Sequence, residues 1–504
     1  MIDFQASFAV VFFSEEQISV FQSQKTKRFA EIFLERLGQI QNGVSIVSNF
    51  AFTDFEKANL KILEASSELE FFKKLLPILP PSKSNDPIWD EVFFYYFNGL
   101  SPLVDVELTK ELEKRHKEYF CQYSYSENLP PGIVPVMMSR EFLNTLPKEW
   151  NAAVHEFFFK NINSYDVEIF YEPPDLRQMR LDFTLHSNRS FFLCQDLLDL
   201  DPQINYKSLP KLLQENPIVF RKYPSYVELE IHRGCENKCS FCPRQGIQFE
   251  KDNTSLSKED IQKIFDSWRW DFPKEVTVCI GGLGEPLLHS ELKEILETIA
   301  SKSFVGKIYL ETSLYPPIDS LKNFLSTSQF ASKFEIIVNI STFEEASYQK
   351  IYESKTPLKV ILEKIEMLSA LHPKNKIHLQ MIKIKELEAE IEAHFDLWEK
   401  KGFSVILQKY NSFANRLPEK RVSNLVPIQR EFCWHLTREV YINADGGVSV
   451  CRQDFNKSIG NILTEGFEAI WKKNSENFLS SFKGEHDKVS APCLNCDEWY
   501  TFQG

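Results

Sequence analysis

Nowhere in its 504 residues does the chain hold an unbroken apolar run of about 18, the length that membrane crossing by a helix demands. The short apolar stretch at residues 8–13 has no basic segment before it, so an export signal is unsupported as well. Positive charge is in short supply. The 58 Lys and Arg face 71 Asp and Glu, the formal net charge is -13, and no local basic patch is evident. That balance disfavours a surface that tracks phosphates, and so disfavours nucleic acid as a partner. Residues 1 to 200 contain no cluster of metal-ligating side chains. The expectation is a cytoplasmic protein with neither a membrane nor a nucleic acid among its partners. A reducing compartment also suits thiol-held centres, and a chain this large can build a core without a disulfide scaffold.

What is present is soluble globular material, 43% apolar and 26% charged, in a chain too long for one ordinary core. Two or three domains are expected. Of the 10 cysteines, Cys121, Cys194 and Cys279 stand singly inside apolar runs and are read as buried thiols. The other seven fall into two groups with metal-ligand spacing.

The first group, Cys235-x3-Cys239-x2-Cys242, directly follows a strand-like run at residues 226–232. A single loop can wrap so that the three thiols converge on a soft metal centre, because thiolates select iron-sulfur clusters, zinc or Cu(I) over hard cations. A structural zinc or a closed electron-transfer cluster wants four ligands. Three leave one iron of a cubane open to a small molecule, which means chemistry. With aromatic Phe241 just before the last cysteine, this segment resembles the signature of the radical S-adenosylmethionine (SAM) enzymes. The resemblance implies that Cys235, Cys239 and Cys242 hold a 4Fe-4S cluster whose open iron is chelated by the amino and carboxylate groups of SAM. It also implies reductive cleavage to methionine and a 5'-deoxyadenosyl radical that abstracts hydrogen from substrate. A treble-clef zinc loop or a surface cysteine cluster is the bland alternative, and the pattern that follows argues against both.

From residue 226 strand-like runs recur at 226–232, 276–280, 307–311, 335–340, 377–382 and 404–409, with helical segments between them. Ser257-x-x-Asp260 reads as a capping box opening the first helix, and Ser290 as a cap for the second. Six such units are expected to curl into a partial (βα)6 barrel with reactive groups at the carboxyl ends of the strands. The radical SAM core is a barrel of this kind, and the resemblance spans about residues 225–410. Just after the second strand comes Gly281-Gly282-Leu283-Gly284-Glu285-Pro286. Glycines allow backbone to approach a ligand, and a carboxylate there can take an amino acid's ammonium. The segment resembles the family's Gly-Glu motif, which assigns Gly282, Gly284 and Glu285 to SAM. Thr312-Ser313 and Asn339-Ile340-Ser341 end the next two strands. Thr312, Asn339 and Ser341 are the candidates for hydrogen bonds to its ribose or carboxylate, against the plain reading of polar residues that close a strand.

The second thiol group is Cys433, Cys451, Cys493 and Cys496, arranged around a strand at 439–443, a turn signal at Asp445-Gly446-Gly447, a returning strand at 448–451 and Gly460-Asn461-Ile462. This resembles the C-terminal SPASM region of radical SAM enzymes. A full SPASM set has seven cysteines and two auxiliary clusters. Four ligands imply one closed 4Fe-4S centre, with zinc as the alternative.

The first 200 residues read as an α/β unit with a mostly parallel sheet, from strands at 8–13, 44–47 and 92–97 and helices at 27–37 and 108–119. Gly99-Leu100-Ser101-Pro102-Leu103-Val104-Asp105, Leu129-Pro130-Pro131-Gly132 with Met138-Ser139-Arg140, and Arg180-Leu181-Asp182-Phe183-Thr184 resemble a cytidylyltransferase of the acidic-sugar type. The Gly-rich nucleotide loop has no counterpart at 13–27, and Leu100 and Thr184 stand where metal-binding aspartates belong, so Mg2+ lacks its hard-oxygen ligands. The unit is therefore read as a lapsed nucleotidyltransferase-like domain at 1–205. Residues 201–224 form a proline-broken connection. A radical SAM barrel follows at 220–412 and a SPASM-like domain at 425–504, an order resembling a spirochaete-type SPASM protein group. The expected function is radical modification of a peptide or protein, fed by an electron donor such as ferredoxin or flavodoxin. A nucleotide-linked sugar or other small molecule is the runner-up substrate, and a non-catalytic iron-sulfur electron carrier the competing class.

Overall fold

The computed structural model describes all residues except 1–7, 42–43, 56–57, 81–91, 248–252, 271, 425–431, 455–456, 497 and 499–504. The chain divides into two compact units, residues 1–219 and 220–504.

The first unit is built on a seven-stranded sheet: β1 (Ala9–Phe12), β2 (Ser45–Ser48), β3 (Asn59–Ile62), β4 (Phe93–Asn98), β5 (Tyr123–Ser126), β6 (Val136–Ser139) and β7 (Val167–Phe170). Their order is β3-β2-β1-β4-β6-β5-β7, and β6 runs antiparallel to both neighbours while the other pairings are parallel. The mostly parallel sheet expected from the sequence is present. Strands β3, β5, β6 and β7 were not anticipated; each is only four residues, too short to show a period. Parallel strands need helices on both faces, and β1 is accordingly buried along Ala9, Val10 and Val11. On one face Phe8, Val10, Phe94, Tyr96, Met138 and Phe158 pack into an aromatic-rich core, where Tyr123 stacks on Phe158 with centroids 3.8 Å apart.

Only Phe13 and Ser14 separate β1 from the next helix, Glu15–Ser23, whose first turn Ser14 closes in a capping box with Gln17. The carboxylate of Asp105 is also spent locally, accepting the Leu108 N–H at 3.0 Å and the Tyr206 N–H at 2.8 Å. Asp182 accepts the backbone N–H and hydroxyl of Thr184 at 2.8 and 2.7 Å.

Among its described residues the second unit has one sheet of nine strands, β8 (Tyr226–Leu229), β9 (Val276–Ile280), β10 (Val305–Thr312), β11 (Phe334–Asn339), β12 (Ile377–Lys383), β13 (Ser404–Lys409), β14 (Glu439–Ile442), β15 (Gly447–Ser449) and β16 (Ser458–Asn461), in the order β13-β12-β11-β10-β9-β8-β14-β15-β16. Six of them, β8 to β13, are parallel and correspond to the six expected strands within a few residues. Their helix-facing side chains, among them Val227, Val278, Ile308, Ile336 and Leu379, are fully buried with the flanking helices in one core. Ser257 caps its helix in a box with Asp260, as expected. Ser290 does not cap: the next helix, Leu292–Ala300, has Glu291 at its N-cap. His289 takes over locally, its Nδ1 accepting the Glu291 N–H at 3.0 Å while Nε2 bonds the Leu256 carbonyl at 2.8 Å.

The C-terminal strands β14, β15 and β16 extend this same sheet. β14 lies parallel to β8, pairing Glu439 with Tyr226 and Ile442 with Leu229, and the hairpin expected around Gly446 follows it. The expected start of this region at residue 425 lies outside the described residues. Among the described residues no helix is long and apolar enough to cross a membrane.

Candidate active site

Beyond β8 the chain enters the cysteine loop, which is tied down along its length. The Glu236 N–H donates to the Tyr315 hydroxyl at 2.9 Å, the Lys238 N–H to the Tyr352 carbonyl at 3.1 Å and the Ser240 N–H to the Ile351 carbonyl at 2.8 Å. The Phe241 ring meets Tyr352 edge-on at 5.4 Å. These straps hold Cys235, Cys239 and Cys242 half-buried around one cleft, which they line together with Gly282, Gly284, Glu285, Thr312 and Asn339. The cleft encloses about 1140 Å³, counting space open to solvent.

The Gly-Glu turn touches the cysteine loop directly, since the Glu285 N–H donates to the Gly234 carbonyl at 2.8 Å. At Gly284 a Cβ would lie 1.9 Å from the His232 carbonyl oxygen, so only glycine lets the two backbones meet there. Gly282 has φ of +105°, in the range glycine favours. The Glu285 carboxylate is buried and accepts four hydrogen bonds: Thr312 Oγ1 at 2.6 Å and the Leu287 N–H at 3.2 Å on Oε1, and the Ser313 Oγ at 2.6 Å and N–H at 2.9 Å on Oε2. A carboxylate has about four acceptor directions, and here all are taken within the protein. Burial pushes its pKa up, while the bonds from Ser313 and Thr312 pull the other way. Glu285 thus pins the end of β9 to the end of β10, and the Thr312 hydroxyl is committed to that pin. Asn339 lines the cleft, whereas Ser341 does not: its hydroxyl sits 2.9 Å from that of Tyr352 and accepts the Ile382 N–H at 3.1 Å.

Charged residues that sequence reasoning missed also line the cleft, notably Glu311 and Arg452. Arg452 Nε donates to the buried Glu228 at 2.6 Å and its Nη2 lies 3.0 Å from Glu311. Burial raises the pKa of Glu228 to about 7, with Arg452 opposing and Glu311 reinforcing the shift. The available signal was position: Glu311 is the penultimate residue of β10, and Arg452 directly follows Cys451. Cys121, Cys194 and Cys279 are buried, as expected, and none lines this cleft.

Cys433, Cys451, Cys493 and Cys496 line a second, smaller cavity, about 420 Å³ when space open to solvent is again counted, beside His435 and Ser481. Across the two thiol groups a local pattern recurs. The sulfurs of Cys235, Cys242 and Cys433 accept backbone N–H groups two residues on, from Asn237, Arg244 and His435. Cys451 and Cys496 do the same with the N–H groups of Gln453 and Glu498, each at 3.3 Å. Such bonds favour thiolate, while burial opposes it and pushes Cys235 up to about 11. Sulfurs prepared for negative charge yet buried together suit a cationic iron-sulfur or zinc centre. Among the described residues no three His, Cys, Asp or Glu side chains are already spaced to grip a single ion.

Comparison with known proteins bears on both sites. Residues 229–397 match the radical SAM superfamily, and residues 433–497 match the SPASM iron-sulfur cluster-binding domain. The protein is a radical SAM enzyme with a C-terminal SPASM domain, and domains of these two kinds typically bind 4Fe-4S clusters and SAM. An uncharacterized protein of Treponema pallidum (strain Nichols) is 26% identical over 361 residues, 69% of this chain and 98% of that one. Among solved structures, Streptococcus suis SuiB bound to precursor peptide SuiA aligns with TM-score 0.44 and 14% identity, over 68% of this chain and 82% of that one. BtrN in complex with AdoMet and 2-DOIA aligns with TM-score 0.34 and 16% identity, over 56% and 98%.

Proposed function

We propose that Cys235, Cys239 and Cys242 hold a 4Fe-4S cluster with one iron left for SAM, and that the enzyme modifies a peptide or protein by hydrogen abstraction. When bound, the cluster supplies the electron that splits SAM into methionine and a 5'-deoxyadenosyl radical. The chain's own part is placement. The straps from Tyr315, Ile351 and Tyr352 fix the cysteine loop, Gly282 and Gly284 let the turn pack tightly against Glu230 and the His232 backbone, and Glu285 holds the ends of β9 and β10 in register. Because the Glu285 carboxylate is filled, we assign the SAM ammonium to backbone carbonyls of that turn rather than to its side chain. Asn339, whose amide also donates to Glu311 and accepts from Gln380, is kept as a candidate for the ribose or carboxylate, and Ser341 as a support for Tyr352. Cys433, Cys451, Cys493 and Cys496 would hold a closed auxiliary 4Fe-4S centre, and a ferredoxin or flavodoxin would supply electrons.

The observation that carries this reading is the convergence of three thiols and the Gly-Glu turn on one cleft at the carboxyl ends of β8, β9 and β10. A polypeptide substrate follows from the SPASM domain, since relatives with one commonly modify peptides or proteins. The test is anaerobic reconstitution with dithionite and SAM, followed by assay for 5'-deoxyadenosine. The native chain should form it and Cys239→Ala should not, with the variant's circular dichroism unchanged. Equal yields from both would refute the site. Deuterium transferred to 5'-deoxyadenosine from a nucleotide-linked sugar, and not from peptide, would refute the substrate class.

We further propose that residues 1–205 are a nucleotidyltransferase-like domain that no longer transfers nucleotides. The direct passage from β1 into a helix leaves no loop to cradle phosphates, and Asp105 and Asp182 are occupied by backbone and hydroxyl donors.

A further inference from the structure

Asn237 lies midway between Cys235 and Cys239 and is 5% exposed, while Glu236 and Lys238 on either side are exposed. The straps from Glu236, Lys238 and Ser240 run to Tyr315, Tyr352 and Ile351, while Cys235, Asn237 and Cys239 line the cleft. The Asn237 backbone N–H is committed to the Cys235 sulfur. Its side-chain Nδ2, however, is buried without any hydrogen-bond partner. Buried amide donors are almost always paired, because leaving one unmade forfeits its hydration for nothing. The acceptor is therefore expected to be something that occupies the cleft.

We propose that Asn237 Nδ2–H donates to an inorganic sulfide of the cluster held by Cys235, Cys239 and Cys242, and so raises its reduction potential. This rests on the cluster assignment above. The position selects the acceptor: a side chain at the centre of the ligand loop, with coordinating sulfurs two residues away on each side, faces the cluster before it can face anything bound beyond the open iron. A hydrogen bond to sulfide withdraws negative charge from the cluster and favours the reduced form, one of the levers by which proteins set these potentials. Asn237 is then a positioning and tuning residue that leaves ligation to the cysteines.

The experiment compares reconstituted native protein with Asn237→Leu, which keeps the approximate volume and removes the donor. Iron and sulfide content and the low-temperature electron paramagnetic resonance spectrum establish loading first, and this step alone tests the cluster assignment. The SAM-responsive cluster is recognised by its spectral change on adding SAM, and the other cluster serves as internal reference. In a redox titration without SAM, the variant's SAM-responsive cluster should titrate at a more negative potential while the reference does not move. In parallel, native protein exchanged into D2O should show a deuteron coupled to the reduced cluster by pulsed resonance, and the variant should lose that coupling. An unchanged potential in a fully loaded variant would overturn the proposal. So would a shift seen only when SAM is present, which would make the SAM carboxylate the acceptor. Should the leucine variant fail to load, Asn237→Asp, which puts an acceptor in place of the donor, should lower the potential; a potential equal to native there would overturn it too.

Discussion

Replacing Arg452 by Met removes the only cation that bonds Glu228 directly among the described contacts, while leaving a side chain of similar reach. Glu228 is 5% exposed, and Arg452 bridges it to Glu311. Even with the guanidinium in place, burial lifts the Glu228 pKa from 4.5 to about 7. At about 1.4 kcal/mol per unit, holding this carboxylate ionised already costs the fold roughly 3 kcal/mol above pH 7. The sign follows directly: a carboxyl with a raised folded-state pKa costs nothing below its unfolded value of 4.5, and its penalty grows as pH rises through about 7. Without the cation Glu228 stays protonated, so the pH-dependent part of the loss in Arg452→Met is at most about 1.4 kcal/mol at pH 8, one unit above the native value of about 7, and vanishes at pH 5.5, where Glu228 is neutral with or without its partner. The assay is urea unfolding followed by tryptophan fluorescence, with six of the eight tryptophans in residues 220–504. Adding Glu228→Gln should abolish the difference in loss between pH 8 and pH 5.5, since the titrating carboxyl is then gone. An equal loss at both pH values, or a difference that persists in the double variant, would refute the reasoning.

The remaining predictions concern the cleft, the clusters and the N-terminal unit. Gly284→Ala puts a methyl 1.9 Å from the His232 oxygen, so the turn must shift. At about 1–3 kcal/mol for overpacking, SAM affinity by equilibrium dialysis should fall about 5- to 150-fold, and unchanged affinity would show that the close approach is dispensable. Replacing Cys235, Cys239 and Cys242 together by Ala should remove half of the iron and sulfide and leave the C-terminal cluster visible to spectroscopy. Zinc in place of that residual iron, or twelve irons in the native protein, would contradict two 4Fe-4S centres. Finally, incubation with any nucleoside triphosphate and a sugar acid should release no pyrophosphate; release that disappears on deleting residues 1–200 would restore transferase activity to the unit.

Much of the candidate site was legible because its ligands are local. Cys235, Cys239 and Cys242 fall within eight residues and the Gly-Glu turn within six, so spacing alone brings like atoms together, and the 2.0 and 3.6 periods located all six barrel strands. Pairing between distant segments was not legible in this way. Glu285 was assigned to the ammonium of SAM because a carboxylate beside glycines suits it, but Thr312 and Ser313, arriving on the next strand, fill both of its oxygens. Ser341 was read as a ligand contact and instead braces Tyr352.

The sequence by itself determined the two thiol groups and the alternation of strand and helix, since each depends only on residue type and nearby spacing. Tertiary structure alone decided that β14 joins the barrel sheet beside β8, across more than two hundred intervening residues, and that Arg452 thereby reaches Glu228 and Glu311. The physical reason is that a strand's edge accepts any partner of suitable register. Which partner it takes is fixed by how the whole core closes, and no local pattern records that choice.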